Sequence, residues 1–348
     1  MKLYRFAFFT ALTTYVLLLV GGLVHGTGSS LACPDWPLCH GTWMPKMEKG
    51  VEYEHTHRLV AALVGVLTLV LGTMVVLIPR YRSFRALGVA APIMVLIQAI
   101  LGGITVLYRL PKPITLSHLT LSMAFFSVII VIAIRMWQAD RLEAARRVGV
   151  SEMDLATRGA SAGVQRSIAD PPAGYSPGVE ALADLRSRVG LTALAVLAQI
   201  ALGGLVRHSM AGLACITFPL CFGNAWPPDS YSEQVHMLHR FGAVVVAALV
   251  VTFSISAYRR ARGSQALRGV RALAIAAPVL IVVQITLGVL SVTSLLHLPT
   301  VTAHLGVGAL LLGVMVAMWT LVPSRALIGA SATRRSADLP DVTQEEVA

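Results

Sequence analysis

The sequence predicts an all-α integral membrane protein in which eight transmembrane helices form two tandem four-helix bundles. Of its 348 residues, 56% are hydrophobic and only 13% are charged, with a mean hydropathy of +0.73, whereas soluble domains carry about 25% charged residues. Apolar runs of roughly 20 residues recur, long enough to cross a hydrocarbon core of about 30 Å. The two halves of the chain also repeat the same motifs in the same order.

The apolar runs predict helices rather than strands, because the strands of a membrane barrel would alternate apolar and polar residues and these runs do not. The first run follows the basic stretch MKLYR without a convincing small-x-small cleavage site, so we expect a mature helix and not a signal peptide. The eight runs cover residues 7–27, 57–78, 86–107, 114–135, 189–208, 236–257, 270–292 and 300–322.

The net charge of +11 indicates orientation in the membrane. If the N-terminus is cytoplasmic, about three quarters of the 28 Lys and Arg residues fall on the cytoplasmic side, as the positive-inside rule requires. We therefore expect a multi-pass protein of the plasma membrane with both termini in the cytoplasm. The same distribution argues against nucleic-acid binding as the reason for the basic charge.

An internal repeat relates the two halves. YVLLLVGGLVHGTGSSLACPDWPLCHG, from Tyr15, aligns with LAQIALGGLVRHSMAGLACITFPLCFG, from Leu197, and both halves continue with a His-Arg pair and a Q-x-x-L-G motif. Because each unit has four helices, both units share one orientation, related by a pseudo-twofold axis along the membrane normal. We expect an N-terminal half at 1–136, a cytoplasmic linker at 137–188, a C-terminal half at 189–322 and a disordered tail at 323–348.

Four of the ten histidines occupy matched positions: His57, His118, His239 and His304. An imidazole within a membrane is costly unless it has a partner. Two histidines on different helices of a four-helix bundle can face each other as axial ligands of one haem iron. Zinc is a weaker interpretation, because no further ligand stands at a suitable spacing. We expect two haem sites toward the outer side of the membrane, with Arg58 and Arg240 pairing with the haem propionates.

The four cysteines form two pairs of equal spacing, Cys33 with Cys39 and Cys215 with Cys221. Both pairs lie in loops on the outer, oxidising side, where disulfides are favoured. A structural staple in each loop is one interpretation. A redox-active first pair, surrounded by Trp, Asp and His in CPDWPLCHG, is the other, and metal binding is a distant third.

Together, the motifs GSSLACPDWPLCHG, EHTHR, TLSHL, HMLHR and TAHL resemble the haem A synthase family over roughly residues 5–322. The resemblance implies an oxidoreductase that oxidises the C8 methyl of haem O to a formyl group, giving haem A for cytochrome oxidase assembly. It implies haem O and haem A as substrate and product on the side of His57 and His118. A haem b cofactor is implied on the side of His239 and His304.

The resemblance also implies a role in turnover for Glu54, the acid three residues before the first ligand. At the matched position the second half has His236, suited to a hydrogen bond with a propionate or water. A carboxylate beside the macrocycle can take a proton or stabilise developing positive charge, so this asymmetry predicts catalysis in the first half. The simpler interpretation is an ordinary i,i+4 pair of Glu54 with Arg58.

The partners implied are the lipid bilayer and the farnesyltransferase that makes haem O, while the electron donor and the oligomeric state, a homo-oligomer included, stay open. A different class of protein fits the four histidines as well, namely a quinol-linked dihaem b electron carrier. A transporter built from parallel repeats would need a polar path in mid-membrane, and a thiol–disulfide oxidoreductase would leave the histidines idle.

Overall fold

The computed structural model describes residues 2–147, 177–227, 230–265 and 267–322. In this part of the chain, eight helices are long and apolar enough to span a membrane, which confirms the predicted all-helical membrane fold. The helices are α1 Tyr4–Gly26, α2 Val51–Leu77, α3 Arg85–Leu107, α4 Lys112–Arg147, α5 Pro177–His208, α6 Tyr231–Ala261, α7 Arg268–Thr293 and α8 Leu298–Leu321, with a 3-10 helix Pro79–Phe84 before α3.

Several helices extend beyond the apolar runs. α2 begins at Val51 and α6 at Tyr231, so the polar residues before the first ligand of each half lie inside a helix. α4 reaches Arg147 and α5 begins at Pro177, both within the predicted cytoplasmic linker. Residues 148–176 of that linker and the predicted tail 323–348 lie outside the described residues.

The helices pack as two groups of four with the same order of neighbours. Helices α1 to α4 contact each other in a closed ring, and α5 to α8 do the same; α1–α8, α4–α8 and α4–α5 contacts join the two groups. Small residues allow this close approach, because a Cβ on Gly22 would lie 2.8 Å from Leu305 and one on Gly204 would lie 2.6 Å from Leu119. The equal order of neighbours agrees with the predicted pseudo-twofold relation, which stays a prediction.

Apolar side chains cover both the core and the outer faces of the helices. Exposed apolar residues are expected where a helix contacts lipid rather than water. Along α2 the exposed positions are Leu59, Leu63, Val66, Leu69 and Val70, while Val64 and Leu71 are fully buried.

Two loops lie at the same end of the bundle, at residues 27–50 and 209–227. The disulfides Cys33–Cys39 and Cys215–Cys221 are formed, with Cα atoms 4.8 and 4.9 Å apart. We call this the disulfide end. At the opposite end, Asp140 accepts a hydrogen bond from the Tyr81 hydroxyl at 2.6 Å and pairs with Arg80 at 2.9 Å, which fixes the turn between α2 and α3 against α4.

Candidate functional site

A large cavity opens between the helices near the disulfide end. Its volume is about 1810 Å³, well above the 300–1,000 Å³ typical of a pocket for one small ligand. Side chains from both groups of helices line it, and they include all four histidines predicted as iron ligands, His57, His118, His239 and His304. The cavity therefore has room for more than one large flat ligand.

Each of these histidines lies six to eight residues after the first residue of its helix. The four helices are α2, α4, α6 and α8. That places all four roughly 9–12 Å along the helix from the disulfide end. His57 and His118 belong to the first group of helices, and His239 and His304 belong to the second. The structure thus places all four predicted ligands in the wall of one cavity, and their pairing on two irons stays a prediction.

A glycine lies behind each imidazole. A Cβ on Gly21, Gly203 or Gly288 would lie 3.0–3.1 Å from the nearest ring carbon, and one on Gly102 would lie 3.4 Å away. A side chain at any of these four positions would press on a ring, so the glycines set the position of the histidine rings.

The ring nitrogens have different partners in the four histidines. Nδ1 of His57 and Nδ1 of His118 are buried without a hydrogen-bond partner. Nδ1 of His304 lies 3.1 Å from the carbonyl oxygen of Gln284, and donation from Nδ1 leaves Nε2 as an acceptor, 3.4 Å from the Gln284 amide nitrogen. Two pairs of imidazoles in one large cavity are a donor set that fits two haem irons, each with two axial nitrogens.

Two glutamines bond to the histidine helices, and neither was among the predicted site residues. Gln98 donates to the carbonyl oxygen of His118 at 3.0 Å, and Gln199 donates to that of His239 at 2.7 Å. The Gln199 amide also lies 2.9 Å from Nδ1 of His239. The sequence signal for these contacts is an amide side chain inside an apolar run. Leu17, which aligns with Gln199 in the first half, has no amide group and cannot make these bonds.

Glu54 is buried, with 4% of its surface exposed, and lines the cavity. Its Oε1 pairs with Arg58 at 2.6 Å, and its Oε2 accepts a hydrogen bond from the backbone N–H of Cys33 at 2.9 Å. The i,i+4 pair named as the simpler interpretation is therefore present. It is a buried pair at the cavity wall, because the Glu54 side chain is only 5% exposed.

Arg58 and Arg240, predicted as propionate partners, both point at the loops. Arg58 donates to the carbonyl oxygens of Asp35 and Cys33. Arg240 donates to those of Thr217 and Cys215, its aligned counterparts. Each guanidinium therefore fastens a disulfide loop to its helix. A propionate contact by either side chain stays a prediction.

His236 occupies the position in α6 that Glu54 occupies in α2. It is 4% exposed and lines the cavity, with Nδ1 2.9 Å from the carbonyl oxygen of Ala211. Donation from Nδ1 to this carbonyl leaves Nε2 as an acceptor. The second group thus has a neutral hydrogen-bonding side chain where the first has a carboxylate paired with arginine.

The two disulfides have different neighbours. Both are fully buried, and Met237 packs against Cys215–Cys221. At the aligned position of the first half stands His55, whose ring nitrogen lies within 4.8 Å of both sulfur atoms of Cys33–Cys39. Both nitrogens of His55 are buried without a hydrogen-bond partner. Because the sulfurs are bonded to each other, this cluster is not a metal site as it stands.

Asp35 closes the first disulfide loop. Its carboxylate accepts hydrogen bonds from the backbone N–H groups of Gly41 at 2.8 Å and His40 at 2.7 Å. The Gly41 N–H in particular holds the pKa of Asp35 below its ordinary value of 3.8, because these bonds favour the charged form. The loop is therefore formed with an ionised Asp35.

The chain is similar to known proteins over most of its length. A model of the COX15-CtaA family, described as cytochrome oxidase assembly protein, matches residues 4–56 and 51–316. Heme A synthase of Symbiobacterium thermophilum is 30% identical over 302 residues, which cover 85% of this chain and 90% of the relative. Heme A synthase of Geobacillus kaustophilus is 26% identical over 315 residues, covering 89% and 88%. Because the family model matches most of the chain, this protein belongs to the COX15-CtaA family.

Proposed function

We propose that this protein makes haem A for cytochrome oxidase assembly, by oxidising the C8 methyl group of haem O to a formyl group. The observation that carries the proposal is one cavity lined by two pairs of imidazoles, with a buried acid beside only one pair. The relatives named heme A synthase, which align over most of the chain, support the same reaction.

The two pairs of histidines divide the work. His57 and His118 hold the substrate haem O, and His239 and His304 hold a haem b. Haem b supplies electron transfer when bound. Glu54 lines the cavity in the first group, whereas the aligned His236 in the second group is a neutral hydrogen-bonding group, which supports chemistry in the first group and electron transfer in the second.

Glu54 accepts a proton released as the methyl group is hydroxylated. Its two oxygens each hold one hydrogen bond, from Arg58 and from Cys33, yet a carboxylate oxygen has two lone-pair sites. Each oxygen can therefore accept one more hydrogen bond from the cavity side. The two hydrogen bonds orient the Glu54 carboxyl group at the cavity wall. Each of two hydroxylations replaces a C–H bond by C–OH and removes two electrons, with an external oxidant that takes up the electrons and an external source of the oxygen atom, and the resulting diol then loses water to give the formyl group.

The orientation of the helices and loops sets the side of the membrane on which the haem sites lie. The disulfide end faces the outer side of the plasma membrane and both termini lie in the cytoplasm, as the distribution of Lys and Arg supports. The haem sites then lie in the outer half of the bilayer, and the disulfides lie on the oxidising side. Haem O arrives from the farnesyltransferase that makes it, through the membrane or by direct contact.

A Glu54→Gln variant tests the proposal, because it removes the charge and keeps an amide oxygen for the Cys33 N–H. The matched control is His236→Gln at the aligned position. Each protein is purified from cells that make haem O, and its haems are extracted and separated. We expect Glu54→Gln to accumulate haem O with haem b retained, and His236→Gln to continue forming haem A.

An unchanged yield of haem A from Glu54→Gln would contradict the role of Glu54. Haem b as the sole pigment of the wild-type protein, in cells able to make haem O, would overturn the proposed reaction. That second result would favour the dihaem electron carrier.

A further inference from the structure

A cluster of basic side chains lies where the two groups of helices meet at the disulfide end. His25 is in the last turn of α1, and Arg207 and His208 end α5. The rings of His25 and His208 are in contact, with centroids 4.9 Å apart and their planes tilted by 55°. Arg207 Nη2 donates to the carbonyl oxygen of His25 at 3.1 Å.

The cluster has no acidic partner within the described part of the chain. The ion pairs found there are Arg58 with Glu54 and Arg80 with Asp140, and neither includes Arg207. A half-buried guanidinium without a counter-ion is unfavourable. The carbonyl groups at the end of α1 compensate in part, because a helix C-terminus carries partial negative charge. That contact uses one of the five N–H donors of the arginine.

The cluster faces the cavity, because His25, Arg207 and His208 all line it. Gly21 contacts the His57 ring and Gly203 contacts the His239 ring. His25 and Arg207 each follow their glycine by one helical turn, about 5.4 Å toward the disulfide end. The basic groups therefore lie in the cavity wall, about one helical turn from the glycines that contact His57 and His239.

The other arginines in the cavity wall are already engaged. Arg58 holds Glu54 and two loop carbonyls, and Arg240 holds the carbonyls of Thr217 and Cys215. Arg207 has one such bond among the described residues. Of the three arginines, Arg207 has the most donors left for a group in the cavity.

We propose that His25, Arg207 and His208 form a carboxylate-binding site, shared by the two groups of helices, that takes the propionate groups of the bound macrocycles. Charge-assisted hydrogen bonds from Arg207 and the imidazoles neutralise the carboxylates inside the protein. The site spans both groups, so it also fixes the two macrocycles relative to each other. This inference rests on the proposed function, because it takes haem as the ligand.

The test compares haem b with haem b dimethyl ester, in which both propionates are neutral. Both probes are titrated into the full-length, haem-depleted protein in detergent, and the Soret band reports binding. Arg207→Gln removes the charge but keeps an N–H donor for the His25 carbonyl. The matched control is Arg186→Gln at the opposite end of α5, where Arg186 likewise donates to the carbonyls of Trp319 and Val322.

We expect wild type to bind the diacid at least tenfold more tightly than the ester, the effect of one or more hydrogen bonds to a charged group. Arg207→Gln should lose most of that preference by weakening diacid binding alone, and Arg186→Gln should keep it. Equal binding of both probes by wild type would overturn the inference. Equal weakening of both probes by Arg207→Gln would also overturn it, since that result indicates only a helix cap.

If Arg207→Gln does not fold, His208→Asn is measured in the same way with the same two outcomes. The result is independent of the reaction. A protein that keeps the diacid preference but forms no haem A would refute the proposed function and leave the carboxylate site intact. Haem A formation without any diacid preference would refute the carboxylate site and leave the proposed function intact.

Discussion

Replacing Gly203 with alanine should loosen the haem held by the second group of helices. The new Cβ would lie 3.0 Å from Cε1 of His239, with Nδ1 and Nε2 of that ring at 3.6 and 3.7 Å. Carbon atoms prefer about 3.5–4.0 Å, so the ring must retreat by about 0.5–1 Å. Gln199, one turn before Gly203 in the same helix, lies 2.9 Å from Nδ1 of the ring. The histidine therefore cannot move without losing that contact or its ligand geometry.

The size of the effect follows from the cost of overpacking. Overpacking of a well-packed site costs about 1–3 kcal/mol, which corresponds to roughly 5- to 150-fold in affinity. An alanine inside a helix is at the same time about 0.5–1 kcal/mol more favourable than glycine. Haem affinity should therefore fall while the thermal stability of the haem-free protein does not, which separates a ligand effect from general destabilisation.

The assay is a titration of the haem-depleted protein with haem b, followed by pyridine haemochrome analysis of the purified complex. Gly269→Ala is the control, since its Cβ would lie 3.4 Å from Leu321 and Gly269 does not line the cavity. Gly102→Ala, whose Cβ would lie 3.4 Å from His118, should weaken the first site less than Gly203→Ala weakens the second. Unchanged haem affinity in Gly203→Ala would refute the reasoning.

Three further outcomes are expected. Gln199→Leu, which introduces the residue found at the aligned position of the first half, should lower the affinity for the haem ligated by His239 about 2- to 12-fold, the contribution of one hydrogen bond. Haem titration measures this affinity, and an unchanged value contradicts the prediction. Replacing Cys33 and Cys39 together by serine should lower the free energy of unfolding by about 2 kcal/mol, because a short loop is no longer closed; denaturant unfolding in detergent measures it, and equal stability counts against it. The pKa of Asp35 is lowered in the folded loop, so the stabilisation from its ionised carboxylate is complete above pH 3.8 and is lost as the pH falls through the lower folded pKa. Tryptophan fluorescence should show an acid transition that the Asp35→Asn variant lacks. An unaltered transition in that variant excludes Asp35 as its cause.

The fold could be predicted because the bilayer leaves few alternatives. A run of apolar residues of this length must be a helix, since lipid cannot satisfy an open backbone. The helix starts were harder to place. Val51 and Tyr231 begin α2 and α6 well before the apolar runs, because a helix continues into polar sequence wherever the loop and its neighbours satisfy its first turn. Hydropathy alone carries no information about that turn.

The candidate ligands could also be predicted, whereas their surroundings could not. His57 and its three counterparts stand out because an imidazole is costly in a membrane. The bond from Gln199 to His239 joins residues 40 positions apart, and the bond from Arg58 to Cys33 joins residues 25 positions apart. Neither contact is revealed by a repeating pattern in the local sequence. Such contacts depend on which faces of two helices meet, and one sequence does not state that.

The two groups of helices keep the same cage of histidine and glycine, so the cage itself cannot give them different chemistry. What differs is the wall around it: Glu54 against His236, His55 against Met237, and Leu17 against Gln199. In the second group a glutamine amide steadies the His239 ring, which suits a haem that must keep one geometry through redox cycles. In the first group that position is apolar, and a buried ion pair occupies the cavity wall instead. A substrate must enter and leave, so a less restrained ligand and a proton acceptor belong on the same side. Exchanging position 17 with position 199 alone should therefore move haem retention between the groups without moving catalysis, because the acid would stay where it is.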